Sequence, residues 1–180
     1  MKYIDEFRSG ALAAGLAAVG VAGSAVAKTR SEISHTNAAI HQEVVFKAAA
    51  ARVYRTLTTA DEFDKVVQLS AAMNASMKAS LGKAPTIIDA QPGGAFSFFG
   101  GYVTGRNVEL VPDVRIVQAW RAGSWDEGLY SVTHFVLEER GATTHLAFDH
   151  AGFPNAEAVH LAKGWHENYW QPLAKVFAAS

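Results

Sequence analysis

The chain has 180 residues, 49% of them hydrophobic and 18% charged, which supplies enough apolar material for one domain with a core and excludes a chain disordered throughout. Sixteen Lys and Arg stand against 17 Asp and Glu, a net charge of −1, so the basic excess that binds nucleic acid or an anionic membrane is missing and no nucleic-acid partner is expected. With no cysteine, disulfides, thiolate metal sites and cysteine nucleophiles are excluded together.

Between Arg8 and Lys28 run 19 uncharged residues, rich in Ala, Gly and Val, that end in Ala25-Val26-Ala27. Small residues at both outer positions of that triplet are what a signal peptidase cuts after, and the run holds too few strongly apolar residues for a permanent span. The pattern predicts a signal peptide over residues 1–27 and a periplasmic or secreted mature chain with no stable membrane insertion after cleavage. The alternatives are a retained anchor and a helical extension on a cytoplasmic protein. Residues 28–39 are polar without a period and read as a linker, so that the folded domain spans 40–180.

"IHQEVVFKA" alternates Ile40, Gln42, Val44 and Phe46 against His41, Glu43 and Val45, the period of a strand. An Ala-rich helix carrying Val53 and Leu57 follows, and Thr59 with Glu62 forms a capping box for a second short helix over about 60–68. Residues 69–84 mix helix formers with Ser and Gly and give no assignment. From Pro85 onward, "PTIIDA", "AFSFF", "YVTGRNVEL", "VRIVQAW", "YSVTHFVLEE" and "TTHLAFDH" are six strand-like runs separated by turn residues. A long helix then covers 155–179. Asn155 is its candidate N-cap, Leu161, Trp165, Tyr169, Leu173 and Val176 form one stripe, and Pro172 invites a kink by freeing the carbonyl of Asn168.

The stretch "GGAFSFFGGYVTG" sets Phe96, Phe98 and Phe99 among five glycines. Glycine within or beside a strand marks a bend or bulge, so these residues predict a strongly curled sheet, with Phe96 and Phe98 on one face and Phe99 on the other. One architecture satisfies this element order with short connections. It is an α+β helix-grip: a curved seven-stranded antiparallel sheet wrapped around the long C-terminal helix, with two short helices after strand one.

The spaced motifs Gly93-Gly94-x-Phe96, Gly101-x-Val103-Thr104-Gly105, Leu110-Val111-Pro112, Trp120-Arg121, Ser124-Trp125-x-Glu127-Gly128, Gly152-Phe153-Pro154 and Gly164-Trp165 resemble the C-terminal domain of the activator of the ninety-kilodalton heat-shock chaperone ATPase and its bacterial relatives. That family sits in the SRPBCC or START-like superfamily, and the resemblance covers residues 40–179. It implies the helix-grip fold and a cavity of the kind that carriers of sterols, lipids and plant hormones, and polyketide cyclases, use. A chaperone is not the expected partner, because an exported chain would not meet a cytosolic one.

Seven histidines offer no metal-ligand spacing, and neither a nucleophile elbow nor a phosphate loop occurs, so no catalytic residue, metal or cofactor is assigned. His150 shares the apolar face of its strand with Leu146 and Phe148, and Arg121 with Glu127 is a candidate rim ion pair. Trp120, Trp125, Trp165, Trp170 and Tyr169 form an aromatic set able to stack a planar molecule. The expected function is non-enzymatic binding of a small hydrophobic or aromatic ligand between sheet and C-terminal helix. Phe96, Phe98, Trp120, Phe135, Phe148, His150, Trp165 and Tyr169 are its candidate contacts. The alternatives are a cyclase- or hydratase-type enzyme using His150 and Tyr169, and a protein-interaction module like the chaperone activators.

Overall fold

The computed structural model describes residues 39–73 and 81–179. The signal peptide expected over 1–27 lies outside them, as does the linker except for Ala39. That residue opens the first strand, β1 (Ala39–Phe46). The short helices α1 (Ala50–Thr58) and α2 (Ala60–Gln68) and a 3-10 turn (Ala71–Met73) follow. Six further strands come next: β2 (Ile87–Ile88), β3 (Ala95–Phe98), β4 (Val103–Val111), β5 (Arg115–Ala122), β6 (Ser131–Arg140) and β7 (Thr143–Ala151). The C-terminal helix is built in four pieces: a 3-10 turn (Asn155–Glu157), α3 (Ala158–Trp165), a π turn (His166–Trp170) and α4 (Gln171–Ala178).

The strands make one antiparallel sheet in the order β1-β7-β6-β5-β4-β3-β2. Alternation decides which side chains face the helix. Ser131, Thr133, Phe135 and Leu137 of β6 are buried while Val132, His134 and Val136 between them are exposed, and β7 buries Thr144, Leu146, Phe148 and His150 in the same way. One core results, with Phe46, Val53, Phe63, Ile116, Phe148 and Leu173 almost fully enclosed. Among the described residues no helix is long and apolar enough to cross a membrane.

The glycines flanking the phenylalanines act by close approach more than by curvature alone. Gly105 sits in register between Phe96 of β3 and Trp120 of β5, and any Cβ there would strike the Phe96 ring and the Ala119 carbonyl. The large ring lies over the residue that has no side chain. Gly82 and Gly100 meet backbone to backbone, where a Cβ on either would overlap the other's carbonyl oxygen.

Three local expectations are corrected. Phe99 does not face away from Phe96 and Phe98: its φ of 50° is left-handed, which breaks the alternation, and the ring turns inward to 5.7 Å from Tyr169. The Thr59–Glu62 capping box is absent, because Glu62 accepts from Lys65 at 2.8 Å and Thr59 makes no side-chain cap. Asn155 stands inside the first turn of the C-terminal helix, and Pro154 holds the cap position.

Pro172 acts through a π turn. A proline ring collides with the carbonyl four residues back, and widening the preceding turn to an i→i+5 bond, Gln171 N–H to His166 O, relieves that collision. The extra residue shifts the buried stripe. Tyr169 and Trp170 are both buried, and Trp165 and Trp170, five apart, stack at 5.6 Å with ring planes 20° apart. Beyond the turn Phe177 is enclosed and Val176 only half so.

Candidate functional site

Trp165 occupies the centre of the seam between helix and sheet. Its ring lies 4.3 Å from Phe148, 5.9 Å from Phe135, 5.7 Å from Trp120 and 4.1 Å from Tyr169. Its Nε1–H donates to His150 Nδ1 at 2.9 Å, while His150 Nε2 lies 2.7 Å from Ser131 Oγ and that hydroxyl 3.0 Å from the Trp120 carbonyl. An indole nitrogen can only donate, so Nδ1 is the acceptor and the imidazole proton sits on Nε2. It donates to Ser131, whose own proton goes to the carbonyl. Every proton in the chain has one place to go. Burial pushes the His150 pKa down from 6.5 to about 3, so the ring stays neutral.

On the β4–β5 side of this seam lies a cleft of about 500 Å³. Its floor is the Trp120 and Val103 end of the sheet, one wall is the helix from Leu161 through Gly164 to Tyr169, and Phe99, Ala72 and Trp125 close the remaining sides. Of the sequence candidates, Trp120, Trp165 and Tyr169 border it. Phe96, Phe98, Phe135, Phe148 and His150 are packed beneath, as inner layers of the same cluster. Phe96 and Phe98 stack at 4.8 Å, and Phe98 reaches Phe63 at 4.3 Å.

Trp120 Nε1, Trp125 Nε1 and the Tyr169 hydroxyl are buried without a well-formed hydrogen bond, the Trp120 indole being directed toward the Tyr169 hydroxyl. Burial raises the Tyr169 pKa far above the ordinary 10, with the Trp120 indole working weakly against the rise, so the phenol keeps its proton as a donor. Of the wall's other polar groups, Asn168 Oδ1 accepts from the Ala72 amide at 2.8 Å, and Ser124 Oγ lies 3.1 Å from the Tyr102 hydroxyl.

Gly164 has a different reason from the other glycines. It lies within α3 with ordinary helical backbone, and the nearest atom to a Cβ there, Asn168 Nδ2, is 3.9 Å away. Glycine inside a helix costs about 1 kcal/mol against alanine. Nothing nearby demands it, and it borders the cleft.

Periodicity alone passed over Phe99, which needs a left-handed backbone to reach the site, and gave Gly164 no role. Trp125 was visible as an aromatic but not as a wall. Arg121 does not pair with Glu127; it donates from Nη2 to the Trp125 carbonyl at 2.6 Å and so fixes the turn that carries that wall. Among the described residues no group of three or more His, Cys, Asp or Glu could hold a metal ion.

The family model described as Activator of Hsp90 ATPase homolog 1-like protein matches residues 47–178. The human protein named Activator of 90 kDa heat shock protein ATPase homolog 1 is 31% identical over 94 residues, covering 52% of this chain and 28% of that protein. The Dictyostelium discoideum activator homologue is 31% identical over 91 residues, 50% of this chain and 24% of its own length. The chain thus spans under a third of the curated relatives it matches. Among solved structures, an HSP90 activator from Plasmodium falciparum superposes with a TM-score of 0.65 at 19% identity, covering 78% of this chain and 96% of that one. The Aha1 dimer from Colwellia psychrerythraea does so with a TM-score of 0.57 at 17% identity, covering 79% and 95%. At these identities the superpositions establish the shared helix-grip fold.

Proposed function

The chain belongs to the Activator of Hsp90 ATPase homolog 1-like family, and on that premise we propose that it acts by binding: it holds a small apolar or aromatic molecule in the cleft beside the C-terminal helix, without chemical turnover. The observation that carries this reading is Gly164. A helix gives up stability at a position that borders a cleft of about 500 Å³ with aromatic walls, a size ordinary for a small-molecule site. The fold is one that serves ligand carriers as well as chaperone activators.

Binding is favoured over acid–base catalysis by the state of His150. Both ring nitrogens are committed, the ring stays neutral far below pH 7, and it sits beneath the cleft rather than on its wall. Tyr169 holds its proton too tightly to act as a base near neutrality.

Titration with N-phenyl-1-naphthylamine, a neutral fluorophore that brightens on leaving water, tests the proposal. One probe should bind per chain. Gly164→Ala should bind it a few-fold less tightly and be about 0.5–1 kcal/mol more stable, whereas Gly164→Phe should weaken binding at least tenfold while retaining the fold. A probe that binds the Gly164→Phe chain as well as the unaltered one rules out this cleft.

The second reading, a chaperone-activator-like module, is favoured by the names of the relatives. Its measurement is ATP hydrolysis by a ninety-kilodalton heat-shock chaperone with and without the chain. Stimulation that survives Gly164→Phe would assign the function to a protein surface and leave the cleft aside.

A further inference from the structure

We propose that the molecule taken by the cleft is an organic cation, with an aromatic or apolar body that lies along the C-terminal helix and an ammonium group that ends among Glu157, Trp125 and Tyr102. This inference rests on the binding reading above and adds the charge of the guest and the direction in which it lies. The mouth of the cleft is uneven in charge. Glu157 and Glu167 border it from the helix, and Asp126 and Glu127 follow Trp125 in the turn that carries that wall. The cations of the same segments, Arg121 and Lys163, are both taken: Arg121 Nη2 donates to the Trp125 carbonyl at 2.6 Å, and the Lys163 ammonium lies 3.6 Å from Glu167. Among the described residues Asp126, Glu127 and Glu157 make no ion pair.

The carboxylates without a cation stand at one end. Trp125 belongs to the Glu157 end of the cleft, because its ring and that of Phe153 flank His150, at 6.5 Å and 4.9 Å. That end is also an aromatic corner. Trp120 and Trp125 meet at 5.4 Å with planes 64° apart, and Tyr102, 39% exposed, is set beside them by its hydroxyl, 3.1 Å from Ser124 Oγ. Indole and phenol faces attract a cation through their quadrupoles, and a half-buried carboxylate such as Glu157 supplies the countercharge that a desolvated ammonium needs. An anionic guest would meet the same carboxylates, and the lysine bordering the cleft, Lys163, already faces one of them. The body of the guest then lies where the wall is apolar, along Leu161, Gly164 and Trp165 toward Phe99.

The test compares trimethylphenylammonium with tert-butylbenzene on the full chain, isosteres in which a cationic nitrogen replaces a quaternary carbon, followed through the amide resonances of Leu161 and Gly164. A cleft indifferent to charge favours the hydrocarbon by at least about a hundredfold, since the cation gives up its hydration on entering. Here the two should bind within about tenfold of each other. Glu157→Gln, which keeps the shape and removes the charge, should weaken the cation about threefold and leave hydrocarbon affinity alone, which also shows that the variant is folded. A cation that binds more than about tenfold less tightly than the hydrocarbon, or one untouched by Glu157→Gln, overturns this inference while the binding reading stands. Binding of neither compound overturns both.

Discussion

A buried histidine contributes to how this protein responds to acid. His150 is held neutral between Trp165 and Ser131, with its pKa pushed down to about 3 from 6.5 by burial. Between those two values the unfolded chain takes up a proton at this position and the folded chain does not, so stability falls as pH drops from about 6.5 toward 3. The steepest contribution from one such group is about 1.4 kcal/mol per pH unit. His41 acts in the opposite sense: Asp149, 2.7 Å away, raises its pKa, so its contribution is present at low pH and fades as pH rises through that raised value. Urea unfolding at pH 7, 6, 5 and 4 should show decreasing stability. In His150→Leu the slope between pH 6 and 4 should shrink by close to one proton, on a baseline lowered by the unpaired Trp165 and Ser131. An unchanged slope in that variant would mean that other groups carry the acid response.

At the scale of elements, the two ends of the helical layer are tied down by side chains from distant strands. Helix α1 begins without a side-chain cap of its own and without an acidic residue in its first turn. The acceptor for the Ala50 amide, at 2.7 Å, is Glu139 Oε2, placed on the concave side by the inward parity it shares with Phe135 and Leu137 in β6. A carboxylate at a helix N-terminus satisfies an orphan amide and faces the positive end of the helix dipole. Glu139→Ala should therefore cost about 1 kcal/mol in thermal or urea unfolding, and Glu139→Gln, which keeps the acceptor and loses the charge, about half of that. Equal losses in both would assign the effect to charge alone. The C-terminal helix is tied by Gln42 of β1, which accepts from Trp170 Nε1 at 2.6 Å and donates to the Ala162 carbonyl at 3.0 Å. The π turn makes this possible, because it brings Trp170 to the inner side together with Tyr169.

For the molecule as a whole, what could be read in advance followed regular backbone. Strict alternation in β1, β6 and β7 and the spaced glycines of "GGAFSFFGGYVTG" lead to the seven strands, their curl and the helix they hold. What could not be read followed departures from regular backbone. Phe99 enters the site through a left-handed residue, Trp170 turns inward through a π turn, and Trp125 hangs on a turn fixed by Arg121; none of these leaves a period in the sequence. The candidate site was therefore legible in its packed layer, Phe135, Phe148 and His150, and in Trp120, Trp165 and Tyr169 of its open wall, and less so in Phe99 and Trp125. That wall is where the proposed function resides. Isotope-filtered NOE spectroscopy of the chain with 2-isopropylnaphthalene tests it most directly. The account predicts contacts from the probe to Leu161, Gly164 and the rings of Trp120 and Trp165; contacts confined to the exposed valines of the convex face, Val45, Val132 and Val136, would contradict it.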